Sequence, residues 1–166
     1  MGMVTAMDEA IGNITDTLRE ANMEDNTLII FTTDNGGTDF RSGGSNLPLR
    51  GTKVKEFHKS LLLCRIILQG TLWEGGTRGA AFIHGSMLKR PGTLSRSLIH
   101  VSDWLPTLIS AAGGDIHTMI EDGDNIDGVN QWEELRDGLG SNKRRLMLYN
   151  IDPLRDPSHG GNGAIR

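Results

Sequence analysis

Apolar residues recur at three- and four-residue intervals from Met3 to Leu18, and polar residues occupy the positions between them. This spacing is typical of an amphipathic helix and predicts one that ends at about Asn22. The next apolar run, residues 27–31, is short and β-prone, which predicts a buried parallel strand. Residues 78–83 have a similar character and predict a second strand.

A second helix is bounded by recognisable start and stop residues. Ser102 or Asp103 is a suitable N-cap, and Pro106 fits the first helical turn. Gly113 follows the last apolar position and is suited to end the helix. Residues 145–151 predict a third strand. Helices that alternate with short apolar strands indicate an α/β architecture.

The composition argues against some classes of function but does not indicate a particular one. The 166 residues are 37% hydrophobic and 23% charged, which is ordinary for a globular domain. The formal net charge of -4 and the lack of a basic stripe predict no nucleic-acid binding. No apolar run approaches the roughly 20 residues of a membrane span, and the first residues do not form a signal peptide.

Candidate chemistry begins where the first predicted strand ends. Asp34 and Asn35 follow that strand directly, and two glycines come next. In open α/β sheets, ligands bind beyond the carboxyl ends of the strands. Carboxylate and amide oxygens suit Ca²⁺ or Mg²⁺, and glycines let the backbone approach a bound group. The same four residues also form a favoured turn, so the residues alone leave a metal site and a plain turn open.

Five sequence blocks follow one another along the chain: MDEAIGNI at 7–14, NTLIIFTTDNGG at 26–37, PLRGTK at 48–53, LWEGGTRG at 72–79 and HVSDWLPT at 100–107. In content and order they resemble the sulfatases. Two further blocks, DGVN at 127–130 and LMLYNIDP at 146–153, are most similar to the arylsulfatase B group. The resemblance implies an alkaline-phosphatase-like α/β fold, with a mixed sheet flanked by helices. Residues 1–166 are interpreted as an incomplete part of that catalytic domain.

The resemblance also implies an activity, the hydrolysis of sulfuric esters with a bound Ca²⁺ and a formylglycine made from a cysteine. Its implied substrates are sulfated carbohydrates or aryl sulfate esters, and its implied location is lysosomal or secreted. Position by position, it assigns Asp34 and Asn35 to the second pair of metal ligands. Lys53 matches the lysine that contacts the sulfate and the bridging oxygen. The implied scaffold residues of the active-site loop are Trp73, Glu74 and Arg78.

Other parts of the family pattern do not occur in these residues. The formylglycine cysteine lies in a Cys-X-Pro-X-Arg motif, and the first pair of metal-binding aspartates also precedes the matched region. The single cysteine, Cys64, has neither the proline nor the spaced arginine. Two oxygen-bearing residues are too few for Ca²⁺, which takes six to eight oxygens. We therefore expect the chain alone to be inactive.

The sixteen residues 54–69 interrupt the family spacing between Lys53 and Trp73. Removing them joins RGTK directly to GTLWEGG, which restores that spacing. Valine codons begin with GT and a glutamine codon can be CAG, the usual ends of an intron. The segment is interpreted either as a translated in-frame intron or as a surface insertion.

Two alternatives to an arylsulfatase stay open at this stage. A phosphatase or phosphodiesterase of the same superfamily would share the sheet and the metal position, but with a serine or threonine nucleophile. A sulfatase-derived fragment could instead be non-catalytic and bind a partner.

Overall fold

The computed structural model describes residues 2–38, 43–53, 72–120, 125–138, 143–150 and 164–166. Its α-helices are α1 (Gly2–Glu20), α2 (Glu74–Thr77), α3 (Trp104–Ala111) and α4 (Trp132–Asp137). Its strands are β1 (Ile29–Thr32), β2 (Ala81–His84), β3 (Leu148–Asn150) and β4 (Ala164–Ile165). Short 3₁₀ turns occupy Glu24–Asn26, Val101–Asp103 and Ile116–Thr118.

The chain forms two compact units. Unit 1 comprises Met1–Ile30 and Ile83–Arg145, and unit 2 comprises Phe31–Phe82 and Leu146–Arg166. None of the described helices combines the length and the apolar character that a membrane span requires.

The first predicted helix is confirmed as α1, and its end follows from one residue. Asn22 adopts the left-handed conformation, with φ of 55°. Its N–H donates to the Arg19 carbonyl, and the Met23 N–H donates to the Leu18 carbonyl at 2.9 Å. These two bonds form a Schellman motif, which satisfies carbonyls that the helix leaves without a partner. Asparagine tolerates this conformation better than most residues, so the sequence placed the helix end correctly.

The first two predicted strands are confirmed as β1 and β2, which form a two-stranded sheet. Gly79 lies against Thr33 at one end, and Gly85 lies against Thr27 at the other, so the two strands are antiparallel. The prediction of a parallel, buried strand is therefore wrong for this pair, and β1 is only half-buried. An apolar run predicts a strand, but it does not determine the direction of the neighbouring strand.

The second predicted helix is confirmed as α3, and Asp103 occupies its N-cap position as predicted. The Asp103 side chain, however, makes no capping bond to this helix. The helix ends in a second Schellman motif, in which Gly113 has φ of 82° and donates to the Ser110 carbonyl at 3.0 Å. His100 instead caps the 3₁₀ turn that precedes α3.

The Asp103 carboxylate is the buried polar centre of unit 1 and is fully inaccessible to solvent. Arg144 binds it through two nitrogens, with Nε at 2.8 Å from Oδ2 and Nη2 bonded to Oδ1. The N–H groups of Val129 and His100 also donate to it, each at 2.8 Å. Burial opposes ionisation, but these hydrogen bonds outweigh it and hold the pKa of Asp103 below its usual range.

Further buried polar groups of unit 1 surround the segment that leads into α4. The Gln131 N–H donates to the Thr107 hydroxyl at 2.9 Å, and its side-chain amide donates to the Leu98 carbonyl at 3.2 Å. Trp132, the first residue of α4, is buried. The sequence analysis predicted no helix here, because α4 has only six residues and its start is fixed by these long-range bonds.

In unit 2, the third predicted strand is confirmed in its central part as β3. It pairs antiparallel with β4, with Leu148 opposite Ile165. Met147 and Arg166 extend the pairing through two backbone hydrogen bonds, at 2.8 and 2.9 Å.

We predict that Arg144→Ala lowers the free energy of unfolding by about 3 kcal/mol or more, because it leaves a buried carboxylate without its counter-ion. Urea denaturation of the chain measures this change. Lys143→Ala is the matched control: Lys143 is the adjacent residue, and it pairs with an exposed carboxylate of Glu133 at 3.2 Å. Such a surface pair contributes less than about 1 kcal/mol. Equal losses in the two variants would contradict the assignment.

The same pair gives a pH dependence with a definite sign. An aspartate in an unfolded chain has a pKa near about 3.9. Folding lowers the pKa of Asp103, so its ionised carboxylate stabilises the folded chain. This stabilisation is fully present above about pH 4 and is lost as the pH falls through the lower pKa of the folded state. Asp103→Asn should therefore be less stable at neutral pH and should lose less stability than the unmodified chain on acidification.

Candidate functional site

The candidate site lies directly after β1, where the chain is anchored by hydrogen bonds to the segment before β2. The Thr33 N–H donates to the Ala80 carbonyl, and the Ala80 N–H donates to the Thr33 hydroxyl, both at 2.9 Å. A side chain at position 79 would crowd Thr33, so Gly79 permits this approach. The strand end is thus fixed immediately before Asp34.

Asp34 and Lys53 form an ion pair, although nineteen positions separate them in the sequence. Lys53 Nζ lies 3.3 Å from Asp34 Oδ2, and the Lys53 N–H donates to the Gly37 carbonyl at 3.1 Å. The Asp34 side chain is 76% exposed and that of Lys53 is 45% exposed, so both are open to a ligand. Hydrogen bonding from Lys53, with a smaller contribution from Asn35, lowers the pKa of Asp34. The carboxylate is therefore ionised at neutral pH, as a metal ligand must be.

Asn46 connects the two segments that carry these side chains. Its Oδ1 accepts from the Gly37 N–H at 2.8 Å, and its Nδ2 donates to the carbonyls of Gly37 and Gly51 at 2.9 and 3.0 Å. One amide side chain therefore satisfies three backbone groups on both sides of the site. The sequence analysis did not identify Asn46. A half-buried role could not be predicted for it because asparagine is common in loops of this composition.

Backbone contacts bring α2 against the same two segments. The Gly36 N–H donates to the Gly76 carbonyl at 3.0 Å, and the Gly75 N–H donates to the Arg50 carbonyl at 2.7 Å. A Cβ atom on Gly36 would overlap the Gly75 carbonyl oxygen, and one on Gly75 would lie 2.7 Å from the Arg50 carbonyl oxygen. Gly36 was predicted to let the backbone approach a bound ligand. In the structure it accommodates another segment of the chain itself.

The three predicted scaffold residues make contacts that hold α2 in place. Trp73 precedes the helix, and the Arg50 guanidinium carbon lies 4.4 Å from the centre of its ring, a cation–π contact. Glu74 pairs with Arg78 at 3.6 Å and also with Arg166. The scaffold role remains a prediction, and these contacts are of the kind it requires.

An open cleft of about 350 Å³ borders the site. Asn35 lines it together with Arg78 and the loop that contains Asn46 and Leu47. The cleft gives a ligand held at Asn35 room for additional atoms.

The structure brings Asp34 and Lys53 together and places Asn35 beside them in the chain. The ligand atoms are of the type that a divalent cation prefers, because the Asp34 carboxylate and the Asn35 amide supply hard oxygens. These two residues are too few to complete the coordination of the ion. Within the ranges that the structure describes, no group of three or more His, Cys, Asp or Glu side chains could hold a metal ion. Cys64 and the predicted insertion at 54–69 lie outside the described residues.

Comparisons with known proteins agree on one family. A family model described as sulfatase matches residues 1–114. Arylsulfatase J of Mus musculus is 40% identical over 162 residues, which cover 98% of this chain and 23% of the relative. N-acetylgalactosamine-6-sulfatase of Homo sapiens is 30% identical over 91% of this chain and 26% of its own length. The chain thus spans about a quarter of the length of these curated relatives.

The similar solved structures include a sulfatase. The PsFucS1 sulfatase from Pseudoalteromonas sp. matches with a TM-score of 0.66 and 25% identity, over 86% of this chain and 25% of that one. Ps i-CgsB in complex with k-i-k-neocarrahexaose matches with a TM-score of 0.60 and 29% identity, over 80% of this chain and 25% of that one.

We predict opposite effects of the same substitution at two glycines. Gly36→Ala should lower the free energy of unfolding by about 1–3 kcal/mol, because the new methyl group overlaps the Gly75 carbonyl. Gly12→Ala, within α1, meets no atom within 4 Å and should raise it by up to about 1 kcal/mol through helix propensity. Urea denaturation compares the two variants. A tolerated Gly36→Ala would contradict the close approach of α2.

Proposed function

The chain belongs to the sulfatase family, and from that premise we propose that it supplies one half of the metal site and the sulfate-contacting lysine of a sulfuric ester hydrolase. The alkaline-phosphatase-like α/β fold expected from the sequence is confirmed for the matched part. The observation that carries the proposal is the 3.3 Å contact between Asp34 and Lys53, with Asn35 adjacent in the chain.

Asp34 and Asn35 are proposed to hold one divalent cation, Ca²⁺, from one side. When bound, such an ion polarises the sulfate and offsets its negative charge. An exposed carboxylate with a lowered pKa and an amide oxygen suit this role. Because Ca²⁺ takes six to eight oxygens, the remaining ligands must come from other residues, water and substrate. We expect the 166 residues by themselves to bind Ca²⁺ only weakly.

Lys53 is proposed to contact the sulfate ester and to stabilise the negative charge that develops on the departing oxygen. Its ammonium group lies beside Asp34, and its backbone N–H is bonded to Gly37, so the proposed cation and the ammonium group would act on the same sulfate. Fixed positive groups aimed at a developing negative charge lower the barrier, because they need no rearrangement during the reaction.

The nucleophile of the proposed reaction is not among these 166 residues. They contain no Cys-X-Pro-X-Arg sequence, and Cys64 lies in a different sequence context. Formylglycine-dependent hydrolysis therefore needs residues in addition to these, and we propose that the 166-residue polypeptide does not hydrolyse sulfate esters on its own. This proposal would fail if the purified chain released sulfate from an aryl sulfate ester.

The proposed substrates are sulfated carbohydrates or aryl sulfate esters. Two similar proteins are named arylsulfatase J and N-acetylgalactosamine-6-sulfatase, and one similar structure contains k-i-k-neocarrahexaose. The cleft beside Asn35 offers space for the part of the substrate next to its sulfate. The finer placement in the arylsulfatase B group rests on residues 127–130 and 146–153.

We predict that Lys53 controls the rate of hydrolysis and Asp34 controls Ca²⁺ binding. Both are tested in a chimera in which this chain replaces its matching segment in mouse arylsulfatase J. In this chimera, Lys53→Ala should lower kcat/KM for p-nitrophenyl sulfate by about 100-fold or more. Asp34→Ala should weaken Ca²⁺ binding about tenfold or more, and excess Ca²⁺ should restore part of the activity.

The control for Lys53 is Lys89→Ala, since Lys89 is a similarly exposed lysine that pairs with Asp137 at 3.2 Å in unit 1. This variant should keep the activity of the unmodified chimera. Equal rates for the two lysine variants would exclude the role of Lys53. Unchanged Ca²⁺ affinity in Asp34→Ala would exclude the metal site.

The insertion at 54–69 directly follows Lys53, and we propose that it is a translated intron and not a surface loop. Sequencing the spliced transcript tests this proposal. A mature message that lacks those codons supports it, and one that retains them as constitutive exon refutes it.

A further inference from the structure

Helix α1 exposes a row of apolar side chains along one face. Met3, Met7 and Ile14 are 89%, 43% and 55% exposed, and Ala10 between them is also exposed. Their spacing of four, three and four residues places them on a single line, which we call the α1 stripe. The helix has no fully buried residue.

A second row of apolar side chains lies on α3 and on the 3₁₀ turn that precedes it. Val101, Leu105 and Leu108 are 76%, 56% and 42% exposed, and they follow one another at intervals of four and three residues. We call these residues the α3 stripe. Both stripes belong to unit 1.

Single exposed apolar residues are normal on protein surfaces and need no explanation. Apolar residues aligned at helical spacing are different, because this is the pattern with which a helix packs against a partner. The charged residues of α1 avoid its stripe: Glu9, for example, lies on the opposite face. The pattern therefore indicates a docking surface and not a solvated face.

Neither stripe is large enough to form a stable interface by itself. Eleven residue steps along a helix span about 17 Å, and a helix is about 10 Å wide, so the α1 stripe covers on the order of 170 Å². The α3 stripe is shorter. Stable interfaces bury about 800 Å² on each partner, several times more than either stripe provides. Any stable occupant must therefore also contact surface beyond a single stripe.

The comparisons indicate such an occupant. Two solved structures, one of them the PsFucS1 sulfatase, match this chain with TM-scores of 0.60 and 0.66 and have only 25% of their own length covered by it. About three quarters of each of these proteins thus has no counterpart in these residues. We infer that the α1 and α3 stripes are the surface on which that remaining part of a sulfatase domain packs. This inference depends on family membership, and not on the proposed metal ligands or on Lys53.

The direct test mixes the purified 166-residue chain with mouse arylsulfatase J from which the matching segment has been deleted. We expect a one-to-one complex by light scattering and protection of Met3 and Met7 from oxidation by hydrogen peroxide, read by mass spectrometry. Met7→Lys and Ile14→Lys should each weaken the complex about tenfold or more, because a charge would be buried without a partner. Glu9→Lys, on the opposite face, should bind like the unmodified chain.

The chimera with mouse arylsulfatase J provides a second measurement that does not require two polypeptides to associate. In it, Met3 and Met7 should oxidise much more slowly than in the 166-residue chain, and Met7→Lys should lower the melting temperature while Glu9→Lys should not. Equal oxidation rates in the chimera and in the chain would overturn the inference. A homodimer of the chain that Met7→Lys dissociates would also overturn it, since the α1 stripe would then belong to a second copy.

Discussion

The geometry of the candidate site depends on the close approach of two glycine backbones. A Cβ atom on Gly36 would overlap the Gly75 carbonyl oxygen, and one on Gly75 would lie too close to the carbonyl oxygens of Gly51 and Arg50. This approach holds α2 against the segment that follows β1, and it joins Arg50 to the same cluster through the Gly75 N–H. Asn46 then ties Gly37 to Gly51 with its side-chain amide. Exposed side chains at this site are thus positioned by a backbone that has little freedom to move.

Unit 1 is organised by a different interaction, the buried pair of Asp103 and Arg144. Its buried side chains are mainly polar, and the buried apolar residues among those described in this unit are Trp132 and Pro106. The Asp103 carboxylate accepts hydrogen bonds from residues of three separate segments. A buried ion pair is weak evidence of high stability, but loss of one partner is costly. The two units therefore depend on specific hydrogen bonds more than on a large apolar core.

Few apolar side chains are buried in unit 1, and those of the α1 and α3 stripes are among the ones that stay exposed. A helix buries one apolar face in a complete domain, and here those faces have no cover within the described residues. The chain covers only about a quarter of the length of arylsulfatase J and of N-acetylgalactosamine-6-sulfatase. According to the inference made above, the rest of a sulfatase domain would cover both stripes.

Local signals in the sequence were enough to predict some of the elements. The bounds of α1 and α3 follow from apolar spacing and from Asn22 and Gly113, which suit left-handed helix ends. The family, and the candidate residues Asp34, Asn35 and Lys53, came from the order of sequence blocks. Features that depend on long-range contacts became visible only in the folded chain. These are the antiparallel direction of β1 and β2, the pairing of Asp103 with Arg144, the start of α4, and the bonds of Asn46. The physical reason is that such contacts join residues distant in sequence, where local pattern carries no information about the partner.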